Sequence, residues 1–134
     1  MISSKQMNSQ VKEKWIAALR SGEYEQGKNK LRDSEGFCCL GVLCDLYSQE
    51  PFTQGWKFNG EYEKSPLPMD YWYFDEESEF LPKSVMEWAG LETNCPEVAV
   101  EEIDDGVSIY DSIANLNDSG YSFSELSNII EEQF

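Results

Sequence analysis

Histidine is absent from this chain of 134 residues. Its absence removes the side chain that titrates near neutrality, and with it the usual general base, the serine and cysteine triads and the commonest transition-metal ligand. Carboxylate pairs could still act as acid and base, but among 26 Asp and Glu some pairs lie close by chance, so no catalytic residue is assigned and no enzyme is expected. Long apolar runs are missing too. The longest, Phe37 to Cys44, covers eight residues, where a membrane helix needs about 20. No apolar signal core opens the chain, so the expected location is the cytoplasm, with no membrane partner.

Positive charge is also scarce: ten Lys and Arg leave a net charge of −16. Such a surface repels nucleic acid through its long-range field, and no nucleic-acid partner is expected. The four cysteines, Cys38, Cys39, Cys44 and Cys95, lack the spacing of a disulfide framework and read as reduced thiols packed as small apolar groups. Without imidazole, a zinc ion would need all four, yet adjacent cysteines on a helix diverge by about 100 degrees. No metal is expected. A phosphate loop, a dinucleotide fingerprint and a calcium loop are all missing, so no cofactor is expected, and Asp104 to Gly106 reads as a turn.

What is present is a foldable composition, with 40% apolar and 13% aromatic residues, and no linker or repeat. Residues 1–134 read as one globular domain. Charge is distributed unevenly along it. Residues 1 to 32 hold seven of the ten cations against three Glu, a net of +4, while residues 33 to 134 hold three Lys against 23 acids, a net of −20.

Periodicity and punctuation outline the elements. Asn8 or Ser9 caps a helix carrying Val11, Trp15, Ala18 and Leu19 on one face and ending before Gly22. Tyr24 to Ser34 follows as a polar loop anchored by Leu31. "FCCLGVLCDLYSQE" reads as a buried helix from Phe37 to before Pro51, and Gly41 within it predicts close approach by another backbone. Nine of the eighteen aromatics fall in residues 52 to 80, where "WKFNGEYE" predicts a hairpin about Asn59-Gly60, and the acidic run Asp75 to Glu79 predicts a solvated loop before Phe80 and Leu81 re-enter the core. "LPKSVMEWAGL" predicts a short helix with Pro82 at its first position and Gly90 as terminator. Strands are expected at "PEVAVEE" and Val107 to Tyr110, and a helix over Asp111 to Asn117. Ser122 and Glu125 then match a capping box before a helix bearing Leu126, Ile129, Ile130 and Phe134. The fold class is α+β, a single compact domain with helices at both ends packed on a small antiparallel sheet drawn from the aromatic middle.

The cation-rich stretch "ALRSGEYEQGKNKLR" is the natural place to look for a ligand. Arg20 and Lys30 can pair with phosphate, Tyr24 or Trp72 can stack on a base, and Gln26 offers a directed amide for ribose or base edges. A purely structural role stands beside this one, in which Arg20 closes its helix, Gln26 holds the loop and the lysines offset the acidic remainder.

"KWIAALRSGEYEQGKNKLR", "FCCLGVLCDLY", "LPKSVMEWAGL" and "NDSGYSFSELSNIIEEQ", in this order, resemble a family of small proteins encoded by tailed bacteriophages, over nearly the whole chain. The resemblance implies a compact domain and a counter-defence role in the infected bacterium. One strategy of such proteins is to bind a nucleotide-derived immune signal, such as a cyclic ADP-ribose, an ADP-ribose conjugate or a cyclic dinucleotide, and withhold it. On that expectation the partner is the signalling molecule, bound at Arg20, Tyr24, Gln26, Lys30 and Trp72 by a homodimer that buries it. The alternative is an acidic DNA mimic, with Asp75 to Glu79 and Glu97 to Asp105 blocking a host nuclease or DNA-binding protein; that binding weakens steeply with salt.

Overall fold

A computed structural model describes residues 7–51, 53, 55–58, 72–103 and 107–134. The order of elements is α1 (Ser9–Arg20), β1 (Arg32–Asp33), β2 (Gly36–Phe37), α2 (Cys39–Ser48), β3 (Trp56–Phe58), β4 (Trp72–Phe74), α3 (Lys83–Ala89), β5 (Glu97–Ile103), β6 (Val107–Ser112), α4 (Ile113–Asp118) and α5 (Phe123–Gln133). This is the expected α+β domain with a helix near each end.

Local chemistry sets both terminal helices. The Asn8 side chain accepts from the amides of Gln10 and Val11 at 3.0 and 3.1 Å, satisfying donors that the first helical turn leaves unpaired. At the other end the capping box is complete, Ser122 and Glu125 each accepting from the other's amide. The apolar faces meet: Val11, Trp15 and Leu19 are buried on α1, and Phe123, Leu126 and Ile130 on α5. Trp15 joins both helices to the centre, its ring stacked on Phe134 at 6.1 Å and its indole N–H donating to the Cys39 carbonyl at 2.9 Å.

Helix α2 is that centre, with Cys39 to Cys44 all buried. It starts two residues after the expected Phe37, because Cys38 is extended (φ −80°, ψ 171°) and serves as the cap, its Sγ accepting from the Gly41 amide. Phe37 is left in β2. A Cβ on Gly41 would stand 1.7 Å from the Leu31 carbonyl oxygen. The predicted close approach is therefore the backbone of the 24–34 loop, with Leu31 fully buried against the helix.

Instead of one sheet from the aromatic middle, the described residues form three separate two-stranded antiparallel ribbons, β1–β2, β3–β4 and β5–β6. The largest, β5–β6, lies outside that region. Trp56↔Phe74 and Phe58↔Trp72 set the register of β3–β4, and the Asn59-Gly60 turn lies outside the described residues, as does Asp104 to Gly106. The acidic run opens with a tight turn. Asp75 and Glu76 have φ of 45° and 71°, while Phe74 and Glu77 exchange backbone hydrogen bonds of 2.8 and 2.9 Å. The Ser84 hydroxyl donates to the Asp75 carboxylate. Asp75, Glu76, Glu77 and Glu79 are exposed as expected; Leu81 re-enters the core as expected, but Phe80, expected there too, is 40% exposed.

Two further boundaries move for local reasons. Asp111 and Ser112 belong to β6 rather than to a helix, and Ser112 caps α4 by accepting from the Asn115 amide at 3.0 Å. Pro82 is the extended cap of α3 (ψ 153°), one position before its first helical residue. Gly90, in the left-handed region at φ 76°, ends α3 as predicted.

Gly41→Ala tests the central packing. The added methyl meets a backbone oxygen that cannot swing aside, so the variant loses about 3 kcal/mol, the upper end of overpacking costs. Urea unfolding followed by tryptophan fluorescence measures it, and a loss near zero refutes the contact.

Candidate functional site

The loop after α1 is held by side chains that the sequence offers as ligand contacts. Arg20, the last residue of α1, reaches across to α5. Its Nε donates to Ser127 Oγ at 2.9 Å, and a terminal nitrogen donates to Asn128 Oδ1 at 2.8 Å and Glu131 Oε2 at 2.7 Å. That bond and the guanidinium charge hold the Glu131 carboxyl below its usual range. Tyr24 donates from its hydroxyl to Asp45 Oδ2 at 2.6 Å and packs edge-on to Phe37. Burial first, and the Asp45 contact second, push its phenol well above the ordinary value.

Gln26 uses its whole carboxamide internally. Nε2 donates to Asn117 Oδ1 (2.9 Å) and the Tyr121 carbonyl (2.7 Å), and Oε1 accepts from the Phe123 amide (3.2 Å). Lys30 contacts Glu79 at 3.3 Å. Arg20, Tyr24, Gln26 and Lys30 thus engage four different partner sets; Gln26 holds the loop, the structural role read for it from the sequence, whereas Arg20 ties α1 to α5 instead of closing its own helix.

Trp72 is the fifth, and it leads to a group that the sequence reading did not single out. Arg32, at the start of β1, places its guanidinium carbon 4.3 Å from the Trp72 ring centre, 5.0 Å from that of Phe37 and 5.7 Å from that of Trp56. Two local constraints put it there. The Asp33 carboxylate accepts from the amides of Glu35 and Gly36 at 2.9 and 3.1 Å, closing a turn that sets Arg32 opposite Phe37. The Trp56 indole N–H donates to Asp45 Oδ1 at 3.0 Å, fixing that ring. Phe58 lies against the far aromatic, 4.7 Å from Trp72 and 46% exposed.

Among the described residues the Arg32 guanidinium meets no carboxylate and no hydrogen-bond acceptor, although the residue is half-buried. Aromatic faces attract the cation without using its N–H donors. Those donors remain able to take a planar anion in bidentate fashion, beside rings able to stack on a flat heterocycle. The turn signal "RDSEGF" could have located Arg32 opposite Phe37; the contacts with Trp56 and Trp72 depend on the pairing of β3 with β4, which no local signal in the sequence gives.

Apart from the Arg32 face, a cleft of about 190 Å³ is lined by Asn29, Cys38, Glu79, Phe80, Ala114 and Asp118. None of the five expected residues lines it. Glu79 and Asp118 give it the wrong charge for a phosphate. Burial pushes the Cys38 thiol up to about 12 and raises Cys39 and Cys44 as well, so these three are neutral thiols and poor nucleophiles. Among the described residues no three Cys, Asp or Glu side chains converge as a metal site, and no helix is long and apolar enough to cross a membrane.

Two outcomes follow from these environments. Native protein at neutral pH takes up iodoacetamide at the half-buried Cys95 alone, whereas unfolded protein takes it up at all four thiols; peptide mass mapping reads the sites, and rapid native labelling of Cys38 contradicts its burial. Because Arg20 lowers the Glu131 carboxyl in the folded state, the associated stability is present above the usual carboxylate range and is lost as pH falls through the folded-state value. Glu131→Gln therefore flattens the acid limb of the stability–pH profile measured by urea unfolding, and an unchanged limb refutes the coupling.

No curated protein and no solved structure matches this chain. A family model does match it over residues 7–134, and on that match the chain belongs to the family described as a domain of unknown function, DUF8296.

Proposed function

We propose that this protein binds a nucleotide-derived anion at the Arg32 face and withholds it without turnover, in the counter-defence role implied by its resemblance to phage proteins. The observation that carries this reading is the half-buried Arg32 guanidinium, unpaired among the described residues and ringed by Phe37, Trp56 and Trp72. A phosphate satisfies the guanidinium fork, and a purine stacks on the indole of Trp72. The protonated thiols and the missing imidazole support holding over hydrolysis. Trp72 keeps its expected role, while Arg32 replaces Arg20 as the phosphate contact, since Arg20 already bridges α1 and α5.

The exposed carboxylates of Asp75, Glu76, Glu77 and Glu79 favour a second reading, the acidic inhibitor of a basic protein. The two differ in which residues matter and in their response to salt.

Native mass spectrometry of the protein with cyclic ADP-ribose isomers, histidine-linked ADP-ribose and cyclic dinucleotides tests the first. The expected result is a stoichiometric adduct released chemically intact, with the subunit count read from the same spectrum. Arg32→Ala weakens the adduct about a hundredfold, the size of a charge-assisted contact of roughly 3 kcal/mol. Trp72→Ala weakens it as well, and Arg20→Ala leaves it in place. Binding that survives Arg32→Ala, or release of a hydrolysed product, overturns the proposal. Absence of any adduct from folded protein shifts weight to the acidic face.

A further inference from the structure

We propose that the outer edge of β6 is a docking site for an extended, lysine- or arginine-rich segment of another protein, which joins the β5–β6 ribbon as a third strand. This surface is separate from the Arg32 face and does not depend on it.

A two-stranded ribbon has two outer edges, each presenting backbone groups that a further strand can pair with. Here the edges differ. On β5 the Ala99 amide donates to Gln133 Oε1 at 2.8 Å, and Gln133 Nε2 donates to the Ala99 carbonyl at 2.9 Å. The carboxamide of Gln133, at the end of α5, thus takes the place of a neighbouring peptide group and closes that edge. An irregularity in the pairing between Ala99 and Glu101 disturbs the same strand further, leaving Val100 out of register.

Those two bonds also fix the geometry across the ribbon. Ala99 uses its amide and carbonyl outward, so Ala99 and its partner Tyr110 form a non-hydrogen-bonded pair, and the Tyr110 amide and carbonyl point away from β5. Among the described residues no side chain caps them as Gln133 caps Ala99. The side chains flanking this edge are apolar and solvent-facing: Tyr110 is 60% exposed and Ile109 is 42% exposed. The Asp111 carboxylate is already engaged, accepting from the Ser112 amide and from Asn115 Nδ2.

Charge selects the occupant. From residue 84 to residue 134 there is no Lys or Arg and there are twelve Asp and Glu, six of them within residues 97–112. A second copy of the chain would bring the same excess against itself. A basic extended segment neutralises it while its backbone pairs with Tyr110, the mode of β-strand addition.

The test uses full-length protein and three synthetic ten-residue peptides: alternating Lys and Val, the same with proline at two Val positions, and alternating Glu and Val. Isothermal titration at moderate salt is expected to give saturable 1:1 binding of the Lys–Val peptide only. Proline keeps the peptide's charge but removes backbone donors, so equal binding of the proline peptide reduces the interaction to unspecific attraction and overturns the proposal. In the protein, Tyr110→Pro removes an outward amide and is tolerated at an edge; it lowers affinity for the Lys–Val peptide by about tenfold, as the loss of a backbone contact or two requires. Should that variant fold poorly by circular dichroism, Tyr110→Lys gives the same loss by repulsion. Arg32→Ala leaves peptide binding unchanged, which separates this surface from the anion site. No binding of the Lys–Val peptide, or conversion of a dimer to a monomer by Tyr110→Lys, overturns the proposal, the latter by making a second copy the occupant.

Discussion

The carboxamide of Asn117 is the constraint on which the rest of the structure hangs. It is fully buried at the end of α4, and every polar atom on it is used. Nδ2 donates to the Gly27 carbonyl at 2.9 Å, and Oδ1 accepts from Gln26 at 2.9 Å and from the Cys39 amide at 3.2 Å. A buried amide left without partners is costly, so one with all of them fixes the segments it joins. These are the loop after α1, the first turn of α2 and the end of α4, which are remote in sequence. Gln26 extends the tie to Tyr121 and Phe123, at the entry to α5. Leu31 can then lie against Gly41, and Arg32, the next residue, is delivered to the aromatic face.

The same ties explain where the positive charge goes. A chain with its cations at one end and its acids at the other folds so that the ends meet. Lys12 donates to the Glu131 carbonyl, Arg20 binds Glu131 and its neighbours, and Lys30 contacts Glu79. These exposed pairs are individually weak. Their larger effect is to relieve repulsion in an acidic molecule and to leave Arg32, which among the described residues meets rings and no carboxylate, chemically distinct from Lys12, Arg20 and Lys30.

The helices were legible in the sequence because their signals are local. Asn8, the Ser122–Glu125 box and Gly90 each act within one turn, and Gly41 announced a close neighbour, though not which one. The ribbons were less legible. Strand β3 finds β4 across a span of residues with no local mark of that pairing, and Ser112 looks equally suited to a strand end and to a helix cap. Arg20 and Gln26 carry the chemistry of ligand contacts and spend it on α5 and Asn117, since residue type states what a group can bind and only the fold states what lies within reach. Arg32 escaped notice for the converse reason: its distinction is the set of rings around it, contributed by β2, β3 and β4.

Gln133 has a consequence for which edge of the β5–β6 ribbon can take a further strand. While its amide holds Ala99, strand addition at that register of β5 is blocked, and among the described residues the β6 edge is the one left open. Fraying of the last turn of α5 would free the second side. The ribbon would then present backbone groups on both edges, the condition that sheet proteins avoid by covering an edge. The last turn of the C-terminal helix thus guards one edge of the ribbon as well as closing its own helix.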